Sequence, residues 1–417
     1  MRMSLLDVAF YLLDSAHSPQ DFTLILHLRD LPDIDALRAG AQSALNRFPH
    51  SGCYIERQKW VWGGEARFEV ERATAVAAFI DARFDLRHQI PVKQCIANGA
   101  CLATRFHHSA ADGLSATLWL GHQLNVAYGI EPPQSQRAPF APLPLRRLQT
   151  SVRRSKFAFD RASDSLWPSR SQCSGSRRWL TIRFPALKLQ KACRRAGGFT
   201  YSDLLATCCL EVLSEWNDCR GGTPWPPVVD EFNGRAATGC RPYNYHPESR
   251  IGLWVPMNIR RESNGGFGNG TSRIRIYKRY DKGATLIEKC REVRRQVSWT
   301  SKHGEWVMPN ISLFTHLPHS ITRPFLRRYL NRSSVDMATA VFSHAGSWMA
   351  NAGEAFKHVE RIECIGLLHP RQSLAINAAT NAGTTWLTFT FDRHSDDLQQ
   401  LAQMYQQQIA SAQRELF

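Results

Sequence analysis

The sequence lacks the features that mark several large protein classes. It has no run of about 18 or more apolar residues, so no membrane-spanning helix is expected. The opening Met1-Arg2-Met3-Ser4-Leu5-Leu6-Asp7 also lacks the apolar stretch and small-residue cleavage site of a signal peptide. The 11 cysteines are scattered with no C-x-x-C pair, and an odd number without a framework fits a reducing cytoplasm. There is no G-x-S-x-G elbow, Walker loop or H-E-x-x-H helix, which removes the commonest hydrolase, nucleotide-binding and zinc-protease readings. Acidic residues are scarce in one stretch: Arg146 to Arg195 holds 14 Lys/Arg against only Asp160 and Asp164.

What is present is a globular chain of 417 residues, 43% hydrophobic, with 12 tryptophans and 21 phenylalanines to bury. That length exceeds what one core usually organises, so two lobes are expected. The net charge of +16 is concentrated in the basic stretch. Such a field suits the phosphates of coenzyme A, an acidic carrier protein, an anionic membrane surface or nucleic acid, and charge alone does not choose among them. No DNA- or RNA-binding motif accompanies it. The expected location is cytoplasmic, with peripheral membrane association through the basic stretch left open.

Hydrophobic period and punctuation predict alternating strands and helices. Residues 22–29 read as a buried strand, and Asp33 as the N-cap of a helix that Pro49 ends. Lys59 to Trp62 and Arg67 to Val70 read as a hairpin around Gly63-Gly64. A short helix is expected at 75–82, strands at 91–97 and 101–106, and a helix from Asp112 to Tyr128. Residues 130–178, rich in Pro, Arg and Ser, read as a crossover with one helix near 148–162. Beyond it come a strand from Trp179, helices at 186–196 and 201–217, and an irregular stretch at 218–249. Strands at 251–257, 272–278, 338–343 and 386–391 follow, with helices near 283–301 and 396–413. The expected organisation is an N-terminal lobe over 1–145, a basic crossover linker over 146–178 and a C-terminal lobe over 179–417, of α/β (mixed α+β) class.

The chemistry concentrates where a strand ends, at Phe106-His107-His108-Ser109-Ala110-Ala111-Asp112-Gly113. An imidazole can take a proton from an alcohol or amine nucleophile near neutral pH. Asp112, four residues after His108, either orients that ring or points back into its own lobe. Gly113 suggests a turn that packs close to substrate or needs an unusual dihedral. His107, His108 and Asp112 are also of metal-ligand type, but no further ligand cluster accompanies them, and no metal is expected. On spacing alone, a histidine pair is also compatible with plain core or surface.

The F-H-H-S-A-A-D-G segment resembles the HHxxxDG motif of the condensation-domain superfamily. That group includes nonribosomal peptide condensation enzymes, wax ester synthase-like acyltransferases and, more distantly, BAHD and chloramphenicol acetyltransferases. Leu5-Leu6-Asp7-Val8-Ala9-Phe10 resembles the opening of the wax ester synthase group, and Phe84-Asp85-Leu86 with Pro91-Val92-Lys93 resembles the approach to the motif. Thr200 to Ala206, Val255 to Arg260 and Gly268-Asn269 resemble later landmarks in the right order. The chain departs from the BAHD pattern in having no D-F-G-W-G. It carries Ser343-His344-Ala345-Gly346 where wax ester synthase-like proteins have Ser-Asn before a glycine turn.

The resemblance implies two chloramphenicol acetyltransferase-like lobes, each a mixed sheet flanked by helices, with a channel between them. It implies an acyltransferase moving an acyl group from a coenzyme A or carrier-protein thioester to a hydroxyl or amine, in lipid or secondary-metabolite biosynthesis. No acyl-enzyme and no permanently bound cofactor are implied, the acyl thioester being a co-substrate. His108 becomes the general base within a catalytic motif shared with His107, Asp112 and Gly113. Asp112 becomes chiefly structural, paired with Arg260, and Asn269 and Ser343 become substrate-binding. The alternative is a non-catalytic condensation-like module that binds a carrier protein or other partner.

Overall fold

The computed structural model describes residues 3, 5–16, 18–56, 59–63, 68–132, 177–222, 251–258, 267–281, 283–303, 320–321, 323–324, 338–347, 352–368, 372–392 and 395–417. In chain order, α1 (Leu5–Leu13), β1 (Asp21–Leu28) and α2 (Ile34–Arg47) lead into the strands β2 (Cys53–Glu56) and β3 (Lys59–Trp62). Then come β4 (Val70–Ala73), α3 (Val76–Asp81), β5 (Val92–Ala97), β6 (Cys101–His107) and α4 (Gly113–Ala127). The second part holds β7 (Arg178–Pro185), α5 (Leu187–Ala196), α6 (Tyr201–Gly222), β8 (Gly252–Asn258), β9 (Thr271–Tyr277) and α7 (Leu286–His303). It closes with β10 (Ala340–Ser347), β11 (Val359–Ile365), β12 (Leu374–Asn381), β13 (Thr384–Phe391) and α8 (Ser395–Leu416).

Both sheets are mixed. The first runs β11-β1-β6-β5-β4, antiparallel except for the β4/β5 pair. The second runs β7-β13-β12-β10-β8-β9, with β10 parallel to both β12 and β8. Helices α2 and α4 bury Leu37, Ala41, Leu45, Trp119, Leu120 and Leu124 over the first sheet with Phe22, Leu24 and Phe106. The second core gathers Leu204, Leu205, Trp216 and Leu401 with Phe342, Ile376 and Phe389. Each buried side chain of this size contributes roughly 1.5–3 kcal/mol, so both lobes carry cores of their own.

Helix α2 starts where its cap requires, with the Asp33 carboxylate accepting from the Asp35 amide at 3.2 Å. On α4, Gly121 allows a close approach, since a Cβ there would lie 2.4 Å from the Ala352 carbonyl. Asn125 seals that contact by donating Nδ2 to the same carbonyl at 2.8 Å.

Three expectations are corrected. The hairpin is β2/β3, pairing Cys53 with Trp62 and Glu56 with Lys59, while Val70–Ala73 lies parallel to β5 in the main sheet. Burying Cys53, Ile55 and Trp60 against Phe84 and Leu86 decides this pairing. Helix α6 runs on to Gly222, into the stretch read as irregular. Strand β11, from the segment assigned to the second lobe, belongs to the first sheet, where Thr23 pairs with Ile365 and His27 with Arg361. Glu363 explains this placement. It is buried and meets His27 Nε2 at 2.7 Å, while Trp179 Nε1 donates to it at 2.7 Å, so it ties β1 to β7 across the two sheets. Burial pushes that carboxyl up, but the His27 bond, the Arg361 charge and the Trp179 bond outweigh it and hold it below its ordinary value.

Most of the crossover over 146–178, including the helix expected near 148–162, lies outside the described residues. Its end is not a solvated surface. Arg177 is 4% exposed and donates to the Asp21 carbonyl and carboxylate at 2.8 and 3.0 Å and to the Ile80 carbonyl at 2.8 Å. Arg105 shares the Asp21 carboxylate at 3.0 Å, so the start of the second half is pinned to the first by a buried ion network.

Candidate active site

Strand β6 delivers the histidine pair, and its neighbours fix the backbone there. The His107 amide donates to the Pro91 carbonyl at 2.8 Å and the His108 amide to the Gln20 carbonyl at 2.7 Å. Successive side chains on an extended chain point to opposite faces. His107 is 1% exposed, whereas His108 is half-buried.

His107 is used inside the lobe. The Ser109 amide donates to its Nδ1 at 3.2 Å, and Ser109 Oγ lies 2.8 Å from the same nitrogen. Accepting there places the His107 proton on Nε2, which faces Asp14 Oδ1 at 3.8 Å, too far for a hydrogen bond. Phe84 stands edge-on at 5.7 Å. The structure therefore does not bring the two rings of the motif to a common opening.

His108 sits between aromatic walls from the first part of the chain and a polar partner from the second. Phe10 of α1 stacks on its ring at 4.1 Å and 14°, and Phe22 of β1 meets it edge-on at 5.2 Å. Its Nδ1 faces the Asn269 side-chain oxygen at 3.3 Å, and Asn269 Nδ2 donates to the His108 carbonyl and to Asp7 Oδ1, the latter at 3.3 Å. Burial holds the His108 pKa below its ordinary 6.5, although the Asp112 charge, its own backbone and Asn269 act in the opposite direction. That direction favours the neutral imidazole, the form that is able to accept a proton.

Asp112 points back into the protein. One carboxylate oxygen caps α4 by accepting from the Ser115 amide at 3.0 Å. The other accepts from the Gly270 amide at 2.9 Å and from Thr271 Oγ1 at 2.7 Å. Ser115 Oγ donates to the Gly268 carbonyl at 2.7 Å and accepts from its amide at 2.9 Å. The start of α4 and the Gly268–Thr271 turn, from different lobes, are thus locked together, and Asn269 is carried to His108. Arg260, expected to pair with Asp112, lies outside the described residues.

Gly113 differs from its expectation. It is the first residue of α4, its φ is not in the left-handed region, and a Cβ on it would meet nothing within 4 Å. Neither a strained dihedral nor protein crowding requires glycine there, and the residue is exposed. Gly113→Ala is therefore expected to leave the melting temperature unchanged or slightly raised, since alanine favours a helix by up to about 1 kcal/mol. A fall in acyl-transfer rate without loss of stability would show that substrate occupies the space outside Gly113.

Asn269 was expected to bind substrate. It is 3% exposed, and both ends of its amide are engaged within the protein. Ser343 is half-buried on β10, in register with Asn377 of β12. The neighbouring His344, which replaces the expected asparagine, is more firmly placed. Its Nδ1 lies 2.6 Å from Ser202 Oγ and its Nε2 3.2 Å from Thr380 Oγ1, and burial lowers its pKa to about 4. The roles of Asp7, Phe10 and Ser202 were not legible from spacing, because their partners lie 262, 98 and 142 positions away.

No protein-family model matches the sequence, and no curated protein matches it at a significant level. Solved structures do match over nearly the whole chain. The cyclization-docking bidomain of the nonribosomal peptide synthetase EpoB from Sorangium cellulosum superimposes with a TM-score of 0.63 at 13% identity, covering 100% of this chain and 85% of that one. A variant starter condensation domain of rhizomide synthetase RzmA, solved in complex with C8-CoA, gives a TM-score of 0.65 at 11% identity over 98% of this chain and 94% of that one. The chain has the condensation-domain fold. The condensation domain of the Monacolin K polyketide synthase MokA matches with a TM-score of 0.64 at 10% identity, covering 98% and 96% of the two chains. An epimerization domain of tyrocidine synthetase B and the X-domain from teicoplanin biosynthesis also match, with TM-scores of 0.59 and 0.56 at 13% and 14% identity. Among the described residues, no helix of this condensation-fold protein is long and apolar enough to cross a membrane.

Proposed function

We propose that this protein transfers an acyl group from a coenzyme A or carrier-protein thioester to a hydroxyl or amine acceptor, with His108 as the general base. The reading rests chiefly on the half-buried, neutral His108, which is held from both lobes by Phe10 and Asn269. In this reaction the imidazole takes the acceptor's proton while the acceptor oxygen or nitrogen bonds to the thioester carbonyl carbon. The tetrahedral species then expels the thiolate, and the imidazolium returns the proton to sulfur. No residue is acylated, and holding both substrates in line supplies much of the rate. The likeness to a domain solved with C8-CoA supports a thioester donor. The test is to incubate the protein with octanoyl-CoA and a panel of amines and alcohols, following free thiol and product mass. Acceptor-dependent thiol release is expected, and none with either coenzyme A or carrier-protein donors would overturn the proposal.

The basic surface supports an acidic donor partner. Arg183, Lys188, Lys191, Arg194 and Arg195 are exposed on β7 and α5, with no acidic residue between Asp164 and Asp203, and Leu187 among them is 57% exposed. An acidic carrier protein docking there is expected to lose affinity steeply between low and physiological salt. Unchanged affinity in a salt titration would remove this surface from donor docking.

A further inference from the structure

We infer that Asn269 is a positioning residue that fixes the tautomer of His108, with the ring proton on Nδ1, and that Asp7 sets the amide orientation on which this depends. The inference rests on His108 being the base and explains how the chain makes it one.

A side-chain amide offers an acceptor at one end and a donor at the other, and its neighbours decide which end faces where. Asp7 is 5% exposed, and its carboxylate accepts from Trp60 Nε1 at 3.2 Å and from Asn269 Nδ2 at 3.3 Å. The main-chain carbonyl of His108 accepts from the same Nδ2. Two oxygens that can only accept therefore both face one end of the Asn269 amide, and that end must be the NH2. The other end, Oδ1, faces His108 Nδ1 at 3.3 Å. A carbonyl oxygen cannot donate, so this contact favours the hydrogen on Nδ1, in concert with the ring's bond to its own backbone, and leaves Nε2 a lone pair for the acceptor's proton. Phe10, stacked flat on the ring at 4.1 Å, keeps the imidazole in the orientation that this bond requires.

A reversed amide would turn its NH2 toward Nδ1, move the proton to Nε2 and make the catalytic edge a donor. It would also set an amide oxygen against the Asp7 carboxylate and the His108 carbonyl. Asp7 reaches this point from α1 and Asn269 from the turn before β9, so the base is correctly protonated only when the N-terminal helix and the second lobe are both in place.

The direct test is nitrogen NMR of the full chain with labelled histidine, above the His108 titration and without substrate, with the His108→Gln spectrum used to assign the resonance. The wild-type protein should show His108 protonated at Nδ1. Asn269→Ala should shift it toward the Nε2-protonated form usual for free imidazole, and Asp7→Asn, which keeps the shape but adds a donor, should populate both tautomers. In parallel, kcat should fall about 10²-fold in Asn269→Ala with KM little changed. An Nε2-protonated His108 in the wild-type protein would overturn the inference. So would an Nδ1 proton that persists undiminished in every variant that folds. Because Asp7→Asn is isosteric, it decides the matter even if Asn269→Ala does not fold. An Nδ1-protonated wild-type protein that shifts in the variants yet transfers no acyl group would support the positioning role and count against the proposed reaction.

Discussion

Replacing His108 by alanine is expected to lower acyl transfer by roughly two to four orders of magnitude while leaving the protein folded. The ring supplies the proton acceptor, and among the described residues His107 cannot stand in for it. That side chain is buried, bonded to Ser109 and directed toward Asp14. The stability cost is modest, because the ring is half-buried, packs on Phe10 and Phe22, and has one side-chain hydrogen bond, to Asn269. The pH profile should carry the same signature. Only the neutral ring accepts a proton, so activity falls as pH drops through the His108 pKa. Burial sets that pKa below 6.5, so the acid limb of kcat/KM in the wild-type protein should lie on the acidic side of 6.5. Near-normal turnover by His108→Ala, or an acid limb above 7.5, would remove His108 from the role.

Asp112→Ala is expected to act mainly on stability, lowering it by on the order of 3 kcal/mol. The substitution removes the cap of α4 and strands three donors at once: the Ser115 amide, the Gly270 amide and Thr271 Oγ1. Two of the three belong to the turn that brings Asn269 to His108, so the damage falls on the seam between lobes. Asp112→Asn should recover part of the loss, since its remaining oxygen can still cap the helix. Thermal melts of the two variants beside the wild-type protein provide the check. If Asp112→Ala melts like the wild type yet loses turnover, the carboxylate acts on the ring and not as an anchor.

The elements that sequence reasoning located are those with local causes. Asp33 and Pro49 bracket α2, and Asp112 opens α4, because caps and breakers act within a turn of where they stand. Strand β11 was not legible for the opposite reason. Val-Glu-Arg-Ile-Glu-Cys-Ile carries three charges in seven residues, and the burial of Glu363 makes sense only once His27 and Trp179 are seen beside it. Strand β12, Leu-Ala-Ile-Asn-Ala-Ala-Thr-Asn, is buried throughout between β10 and β13, so it shows no alternation to read. At the site, His108 was visible as one of a contiguous group. The supports of its ring come from residues 7, 10 and 269, and no spacing rule connects positions so far apart.

The placement of β11 also sets an order on synthesis. Strand β1 lies between β6 and β11, and its β11 edge is filled only by residues 359–365, more than 250 positions after β6 ends. While the intervening chain is being made, the first sheet presents β1 as an open edge of unpaired amides and carbonyls, lined by Leu24, Ile25 and Leu26. Such an edge can pair with another nascent chain. A chain stopped before residue 359 would therefore be prone to aggregate, even though it contains every residue of the HHxxxDG segment and four of the five strands of the sheet that carries it.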